Sequence, residues 1–493
     1  MKLIYTLLLA SCFITTSLAQ NDLKKVKATV SKSEIQGHIY FLASDELKGR
    51  ATASSELDIA AQYISTHFVR YGVKPVLGAE QGYFQTVPFI KTTAPTTLSL
   101  TLDGKPYRQL IKESGSNTNI SGAAIFLNYG DSLDYLNQQV NGKVVVVKAG
   151  SNGKPAPFSP TLLRREKKRL ASKYGAVGLV ELCTMDEQLW KQGEHRFNGD
   201  RMELVAEESP FPYLWMADSN GEIATQFSSR KELPVELTIK GMVTSKVVSR
   251  NVVGMVEGTD PQLKNEYIIY SAHYDHIGIG EPNAENDSIF NGARDNAVGT
   301  VTVLSIAENL AKYPTKRSAL FIMFTGEEVG LLGSKWYVEH PLLPLHQMVF
   351  CFNFDNGGYN DTSLITIIGL GRTTAEKSLK EAGTPFGLKV TDDPAPEQNL
   401  FDRSDNLHFA QKGIPAPTFG MGFTGFDQEI RKYYHQAADN PNTLDYEYLF
   451  KFFQAYVLAG RKIANTGQRP FWKVGDKYEA AGKKLYNGQI SIK

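Results

Sequence analysis

From residue 247 onward, apolar runs of strand length alternate with stretches of helical periodicity, and this pattern limits the chain to few architectures. NVVGMVEG, EYIIYSAH, SALFIMF, MVFCFNFD, LITIIG and PAPTFG read as strands. Between them DNAVGTVTVLSIAENLAKY, GLLGSKWYVEH and TTAEKSLKEAG read as helices, and EYLFKFFQAYVLAGRKIAN closes the series as a long helix. Strands that are apolar at every position are buried on both faces. Their alternation with helices predicts an α/β fold, a mostly parallel mixed sheet sandwiched by helices.

Upstream the texture differs. Over 33–72 the residues Leu57, Ala60, Ala61, Ile64 and Phe68 fall on one helical face, with Gly72 as a stop. Over about 95–245, short β-like runs (TLSLTL, GAAIFLNY, GKVVVVKAG, AVGLVEL, PVELTIKG) surround one basic helical stretch, LLRREKKRLASKYG, which reads as a solvated helix face. The expected division is 1–19 as a targeting segment, 20–94 and 246–465 as one domain, 95–245 as a smaller β-rich domain inserted in it, and 466–493 as a polar tail.

The targeting segment has Lys2 ahead of an apolar run from Leu3 to Leu18, then Ser17-Leu18-Ala19 before Gln20, a small-x-small cleavage pattern. The run is short and rich in Ser and Thr for a membrane span. Export to the periplasm or medium is the expectation. Leu9-Ala10-Ser11-Cys12 is similar to a lipobox, so a lipid anchor at Cys12 is the alternative. Cys183 and Cys351 alone would remain, too few for a disulfide framework, and Cys351 lies inside an apolar run as a small buried hydrophobe would. A net charge of +1, with 42% apolar and 21% charged residues, describes a globular chain with no electrostatic footprint for nucleic acid or an anionic membrane. Nothing in the sequence sets the oligomeric state.

The chemistry sits at the strand ends. His273 and Asp275 follow YIIYSA, Glu327 and Glu328 follow ALFIMFTG, and Asp355 closes VFCFNFD. Asp295 opens the helix after the first of these strands, near its positive pole, and His435 comes later in YYHQAAD. In open α/β sheets, ligands gather beyond the C-terminal strand ends, so these side chains would share one rim. Singly each has a plainer reading: a GEE surface turn, a helix N-cap for Asp295, a turn acid for Asp355, a loop histidine for His435. As an ordered set they supply two imidazoles and several carboxylates, a donor set that suits zinc, with cobalt or manganese as substitutes. Asp275 could fix the His273 ring, Asp295 could bridge two ions, and of two adjacent glutamates one could ligate while the other handles a proton. Hydrolysis is the reaction class this implies.

In that order and spacing, HYDHIG, NGARDNAVGT, FTGEEVGLLGS, FNFDNGG, SDNLHFAQKGIPA and YYHQAAD resemble the co-catalytic zinc exopeptidases of the bacterial leucyl aminopeptidase and glutamate carboxypeptidase type. The resemblance covers most of the mature chain and implies the zinc exopeptidase (phosphorylase/hydrolase-like) fold. It implies two zinc ions: Asp295 bridging, His273 and Asp355 on one, Glu328 and His435 on the other. Glu327 would be the general base, Asp275 would orient His273, and the Asp295–Asn296 peptide would be cis. The inserted region, through GKVVVVKAG and KYGAVGLVEL, is similar to a protease-associated domain. Two departures stand out. The family's SDH is SDN here, with Asn406, and no side-chain donor for an oxyanion is evident beside Phe401 and Asp402.

The resemblance thus implies an exported peptidase acting on peptides, an aminopeptidase first. A carboxypeptidase or dipeptidase is the alternative, for which Arg294 or Arg403 could hold a terminal carboxylate, though either could equally serve a structural ion pair. Glutaminyl cyclases with one zinc, and binding modules with eroded ligands, share the scaffold. The full ligand set here argues against both.

Overall fold

The computed structural model describes residues 21–205, 210–230 and 232–486. The targeting segment at 1–19, with Cys12, lies outside them. The chain divides into two units, one formed by 1–87 with 248–493 and the other by 88–247.

The first unit is built on a mixed sheet. Its strands include β1 (Thr244–Val256), β2 (Tyr267–His273), β3 (Ser318–Phe324), β4 (Met348–Phe354), β5 (Leu364–Ile368), β6 (Lys389–Thr391) and β7 (Thr418–Met421). The spatial order is β1-β3-β2-β4-β7-β5-β6. The central pairs β3·β2, β2·β4 and β4·β7 are parallel, while β1·β3 and β7·β5 are antiparallel. Alternate residues of β3 go to opposite cores: Ala319, Phe321 and Met323 to one, Leu320, Ile322 and Phe324 to the other. Both faces are therefore covered, which is why the sequence shows continuous apolar runs rather than alternation.

The larger core is closed by helices α1 (Lys32–Leu42), α2 (Ser55–Tyr71), α3 (Val298–Lys312), α5 (Glu376–Gly383) and α6 (Tyr446–Asn465), and the smaller one by α4 (Leu332–Glu339) with the short helix Asn406–Gln411. Helix α2 starts where the Leu57 amide donates to Ser54 Oγ (3.1 Å) and stops at Gly72 in the left-handed region. Its buried face includes the five residues expected from the periodicity. Helix α6 is capped by Asp445, whose carboxylate accepts from the Glu447 and Tyr448 amides at 3.0 Å.

Over its described residues, 466–486, the polar tail expected at 466–493 packs against the sheet. Phe471, Trp472 and Tyr486 are buried in the smaller core, and Trp472 Nε1 donates to the Gly413 carbonyl at 2.9 Å. These anchors hold an otherwise polar stretch against the sheet.

The second unit holds an eight-stranded sheet. Its centre runs Thr118–Phe126, Val144–Lys148, Gly178–Cys183, Tyr213–Ala217, all parallel. Val144 and Val146 face one core, Val145 and Val147 the other. The basic stretch is the helix Thr161–Lys173. It is not wholly solvated: Lys167 is buried, donates to the Lys148 carbonyl at 2.7 Å and lies 3.9 Å from buried Glu181. Cys183 and Cys351 are both free and buried.

Candidate active site

His273 is the last residue of β2, and Asp355 immediately follows β4. Glu327 and Glu328 stand in the turn after β3, and Asp295 lies just ahead of α3. His435 follows the helix Gln428–Tyr433 and adopts φ 54°. The parallel pairing of β3, β2 and β4 brings their C-terminal ends level, so side chains 82 positions apart become neighbours.

Asp295 is the centre. Its Oδ1 lies 3.2 Å from His273 Nε2, and its Oδ2 lies 3.2 Å from His435 Nε2. His273 Nε2 also meets Asp355 Oδ1 at 3.3 Å, and His435 Nε2 meets Glu328 Oε2 at 3.4 Å. Donor atoms of His273, Glu327 and Asp355 lie within 4.8 Å of one another, and so do those of His273, Asp295 and Glu328. The peptide between Asp295 and Asn296 is cis. Every residue expected on the rim is on it.

The ring of His273 is fixed from behind, since its Nδ1 donates to the backbone carbonyl of Asp275 at 3.1 Å. That leaves Nε2 as the free donor toward the carboxylates. The carboxylate of Asp275 is farther, 3.8 Å from Nδ1, and is engaged elsewhere. Thr52 Oγ1 donates to its Oδ2 at 2.6 Å, and the Glu327 amide donates to its Oδ1 at 3.3 Å. Asp275 therefore steadies the Glu327 turn with its side chain and His273 with its backbone.

The electrostatics fit a cluster that lacks cationic charge. Burial opposes the His273 cation, but Glu327 and Asp355 hold its pKa well above the ordinary imidazole range. Burial likewise opposes the His435 cation, and hydrogen bonding to Asp295 with charge from Glu328 and Asp355 lifts it to about 9. Burial raises Glu327 well above the usual carboxylate range despite His273, and Asp355 and Glu328 add to the rise. Without added positive charge the cluster favours extra protons on Glu327 and on the two histidines. A set of nitrogen and oxygen donors this close and this acidic suits divalent cations that take N and O ligands.

Side chains that sequence reading did not single out complete the surroundings. His276 Nδ1 meets Glu328 Oε1 at 2.7 Å. Arg50 is buried and donates to the carbonyls of Tyr274 (3.0 Å) and Asn291 (2.8 Å), so the N-terminal helices pin the segment that carries Asp275 and His276. Tyr434 stacks on His435 with ring centroids 4.1 Å apart. Its Oη accepts from Arg403 at 3.2 Å. Beside Asp355 a cavity of about 110 Å³ opens, lined by Ile368, Met421, Phe423, Tyr434 and Arg403 among others. Arg294 is spent structurally: it donates to Asp439 Oδ1 at 2.9 Å and to Thr443 Oγ1 at 2.7 Å, and stacks over the Tyr433 ring. Asn406 is also structural, donating to the carbonyls of Phe401 and Ala416 at 3.1 Å.

The model of Peptidase family M28 matches residues 251–459, the stretch that carries β2, β3, β4 and every rim residue above. That match covers less than half of the chain. A probable leucine aminopeptidase 2 of Aspergillus oryzae is 24% identical over 364 residues, 69% of this chain and 66% of that protein. Aminopeptidase YwaD of Bacillus subtilis is 27% identical over 239 residues, 46% of each chain. The matches thus span about half to two-thirds of these curated relatives. Among solved structures, an aminopeptidase from Aneurinibacillus sp. strain AM-1 superposes with a TM-score of 0.63 at 20% identity, covering 91% of this chain and 97% of that one. BSAP, a zinc aminopeptidase from Bacillus subtilis, gives 0.50 at 19% identity, covering 89% and 97%. These likenesses show the fold.

Proposed function

We propose that this chain is a zinc-dependent exopeptidase of peptidase family M28, an aminopeptidase that releases N-terminal residues from peptides. The reading rests on one observation: the two oxygens of Asp295 each face a different histidine, with Asp355 beside one and Glu328 beside the other. A carboxylate shared in this way is what two neighbouring metal sites require. His273, Asp295 and Asp355 would hold one zinc, and Asp295, Glu328 and His435 the other, with cobalt or manganese able to substitute. The ions would supply Lewis acidity at the scissile carbonyl.

The protein's own residues do the rest. Glu327 is the acid of the rim left without a ligand role. It takes a proton from the attacking water and returns it to the leaving amine. Burial raises this carboxyl above its ordinary range, which suits a group that takes up a proton and gives it back. Asp275 holds the Glu327 amide, so the base keeps its place during the transfer. The cavity beside Asp355 takes the side chain of the residue next to the cleaved bond, and its Ile368, Met421 and Phe423 favour an apolar one.

One observation favours a carboxypeptidase or dipeptidase instead. Among the described residues Arg403 is in no ion pair with a carboxylate and meets only Tyr434 Oη, at the edge of that cavity. A mass-detected cleavage profile on a mixed peptide library decides. Ladders shortened from the N-terminus support the aminopeptidase, and ladders shortened from the C-terminus overturn it. In the second case Arg403→Ala should raise KM at least tenfold with kcat nearly unchanged, because a carboxylate anchor acts in the ground state as well as the transition state.

We further assign the inserted unit as a protease-associated domain that affects specificity. Among the described residues none of the potential metal-binding groups lies in it. Export with cleavage before Gln20 is part of the same reading, and among the described residues no helix is long and apolar enough to cross a membrane. Intact mass of protein recovered outside the cytoplasm tests the cleavage position.

A further inference from the structure

The fourth residue of the HYDH motif has no role in the reading above. It is more tightly held than a bystander needs to be. We propose that His276 is a positioning residue for Glu328, and through it sets the affinity of only one of the two metal sites, the one shared by Asp295, Glu328 and His435. This rests on the two-metal reading given under Proposed function.

The geometry separates the two oxygens of Glu328. Oε1 lies 2.7 Å from His276 Nδ1, and Oε2 lies 3.4 Å from His435 Nε2. With Nδ1–H donating to Oε1, Glu328 has one oxygen left for a cation. Its carboxylate plane is fixed by a hydrogen bond rather than by the cation itself. The other nitrogen of the ring, Nε2, is buried and has no partner, so Glu328 takes the ring's one hydrogen bond.

The ring has little freedom to leave. His276 is 1% exposed, and its backbone N–H donates to the Arg50 carbonyl at 3.1 Å. One face of the ring lies where residue 292 would carry a Cβ: an added carbon there would come within 2.6 Å of Cδ2. Gly292, with φ 58°, is thus required twice over, by its left-handed backbone and by the ring against it. The other neighbour is His435, edge-on with ring centroids 5.8 Å apart at 73°. His276 therefore packs against one ligand of this site and bonds another, while His273 on the other site is steadied by the Asp275 carbonyl. An outer hydrogen bond that orients a metal ligand is worth about 10–100-fold in metal affinity when removed.

The test uses the full chain as wild type, His276→Ala and His276→Asn. Each is stripped of metal and titrated with zinc against a chromophoric chelator, with bound zinc counted by mass spectrometry and folding followed by thermal melts. Asparagine offers an amide N–H close to the position of Nδ1. The expected result is two zinc ions in wild type. In the alanine variant one zinc keeps its affinity while the other is weakened about 10–100-fold. The asparagine variant should recover most of the loss, and activity of the alanine variant should return as zinc is raised. Equal affinities in wild type and the alanine variant overturn the proposal. So does equal weakening of both sites with no rescue by asparagine, which marks His276 as a general support of the fold. A wild type that takes up only one zinc overturns the two-metal reading itself, a result visible before any variant is compared.

Discussion

Adjacent residues Glu327 and Glu328 have divergent surroundings, and the roles proposed for them rest on that divergence. Glu328 is held at Oε1 by His276, and its Oε2 lies 3.4 Å from His435 Nε2. Glu327 joins His273 and Asp355, yet its backbone rather than its carboxylate is the part tied down, through Asp275. Glu327→Gln keeps the size and removes the proposed base. Turnover on aminoacyl anilides and peptides should fall about 10³-fold, the range general acid–base groups supply. Bound metal should stay at the wild-type count. Wild-type activity in this variant would remove Glu327 from the mechanism. His273, Glu327, Glu328 and Asp355 were legible because each ends or follows a strand, and strand ends can be read from apolar runs, while Asp295 opens a helix and His435 follows one. The contacts of His276 and Tyr434 were not. They reach across 52 and 31 positions to Glu328 and Arg403, and no spacing encodes such a meeting. Asp275 shows a subtler limit: the sequence places it beside His273, but only the turn geometry reveals that its carbonyl, not its carboxylate, meets the ring.

At the scale of elements, strands buried on both faces have few readings other than strand, and α2 was legible down to its buried face. The short β6 is only three residues long, with Lys389 exposed, so it carries no pattern to read. The segment around Phe471, Trp472 and Tyr486 shows how sparse aromatic anchors escape a composition-based reading. Helices α1 and α2 also contain a device that the apolar pattern hides. His38 is buried between them, with Nδ1 at 2.7 Å from Tyr63 Oη and Nε2 at 3.3 Å from Tyr71 Oη. A neutral ring can accept from one hydroxyl and donate to the other. Burial, followed by the charges of His67 and Arg70, lowers its pKa to about 4. An unfolded chain binds this proton near pH 6.5, the folded one only near 4. Stability is therefore complete above pH 6.5 and is lost as pH falls toward 4, by about 3 kcal/mol at most for this group. Denaturant melts at pH 7.5, 5.5 and 4.5 should show His38→Gln losing less stability on acidification than wild type. Parallel losses would mean that other groups dominate.

At the scale of the whole molecule, the proposed metal site joins distant parts of the first unit. Its candidate ligands come from the ends of β2 and β4, the turn after β3, the start of α3 and the loop after Gln428–Tyr433. The broad division into two units was visible as a change of texture near residues 95 and 245, and contacts draw it at 88 and 247. An ion that ties these elements together binds the folded chain and not the unfolded one. It stabilises by mass action, about 4 kcal/mol when present at a thousand times its dissociation constant. Chelation should therefore lower Tm, and zinc should restore it. The size of the drop should depend on pH in a set direction. In the metal-free chain His435 keeps its proton up to about pH 9, against about 6.5 when unfolded. A folded pKa raised in this way stabilises the metal-free protein fully below pH 6.5, and the benefit is lost as pH rises through 9. With zinc bound, His435 must be neutral in any case, so the loaded protein does not share that loss. The gap in Tm between loaded and chelated protein should widen steadily from pH 6.5 to 9. Scanning calorimetry of both forms across that range measures it. A gap that is constant or that narrows would mean that protons do not take the place of metal charge around Asp295.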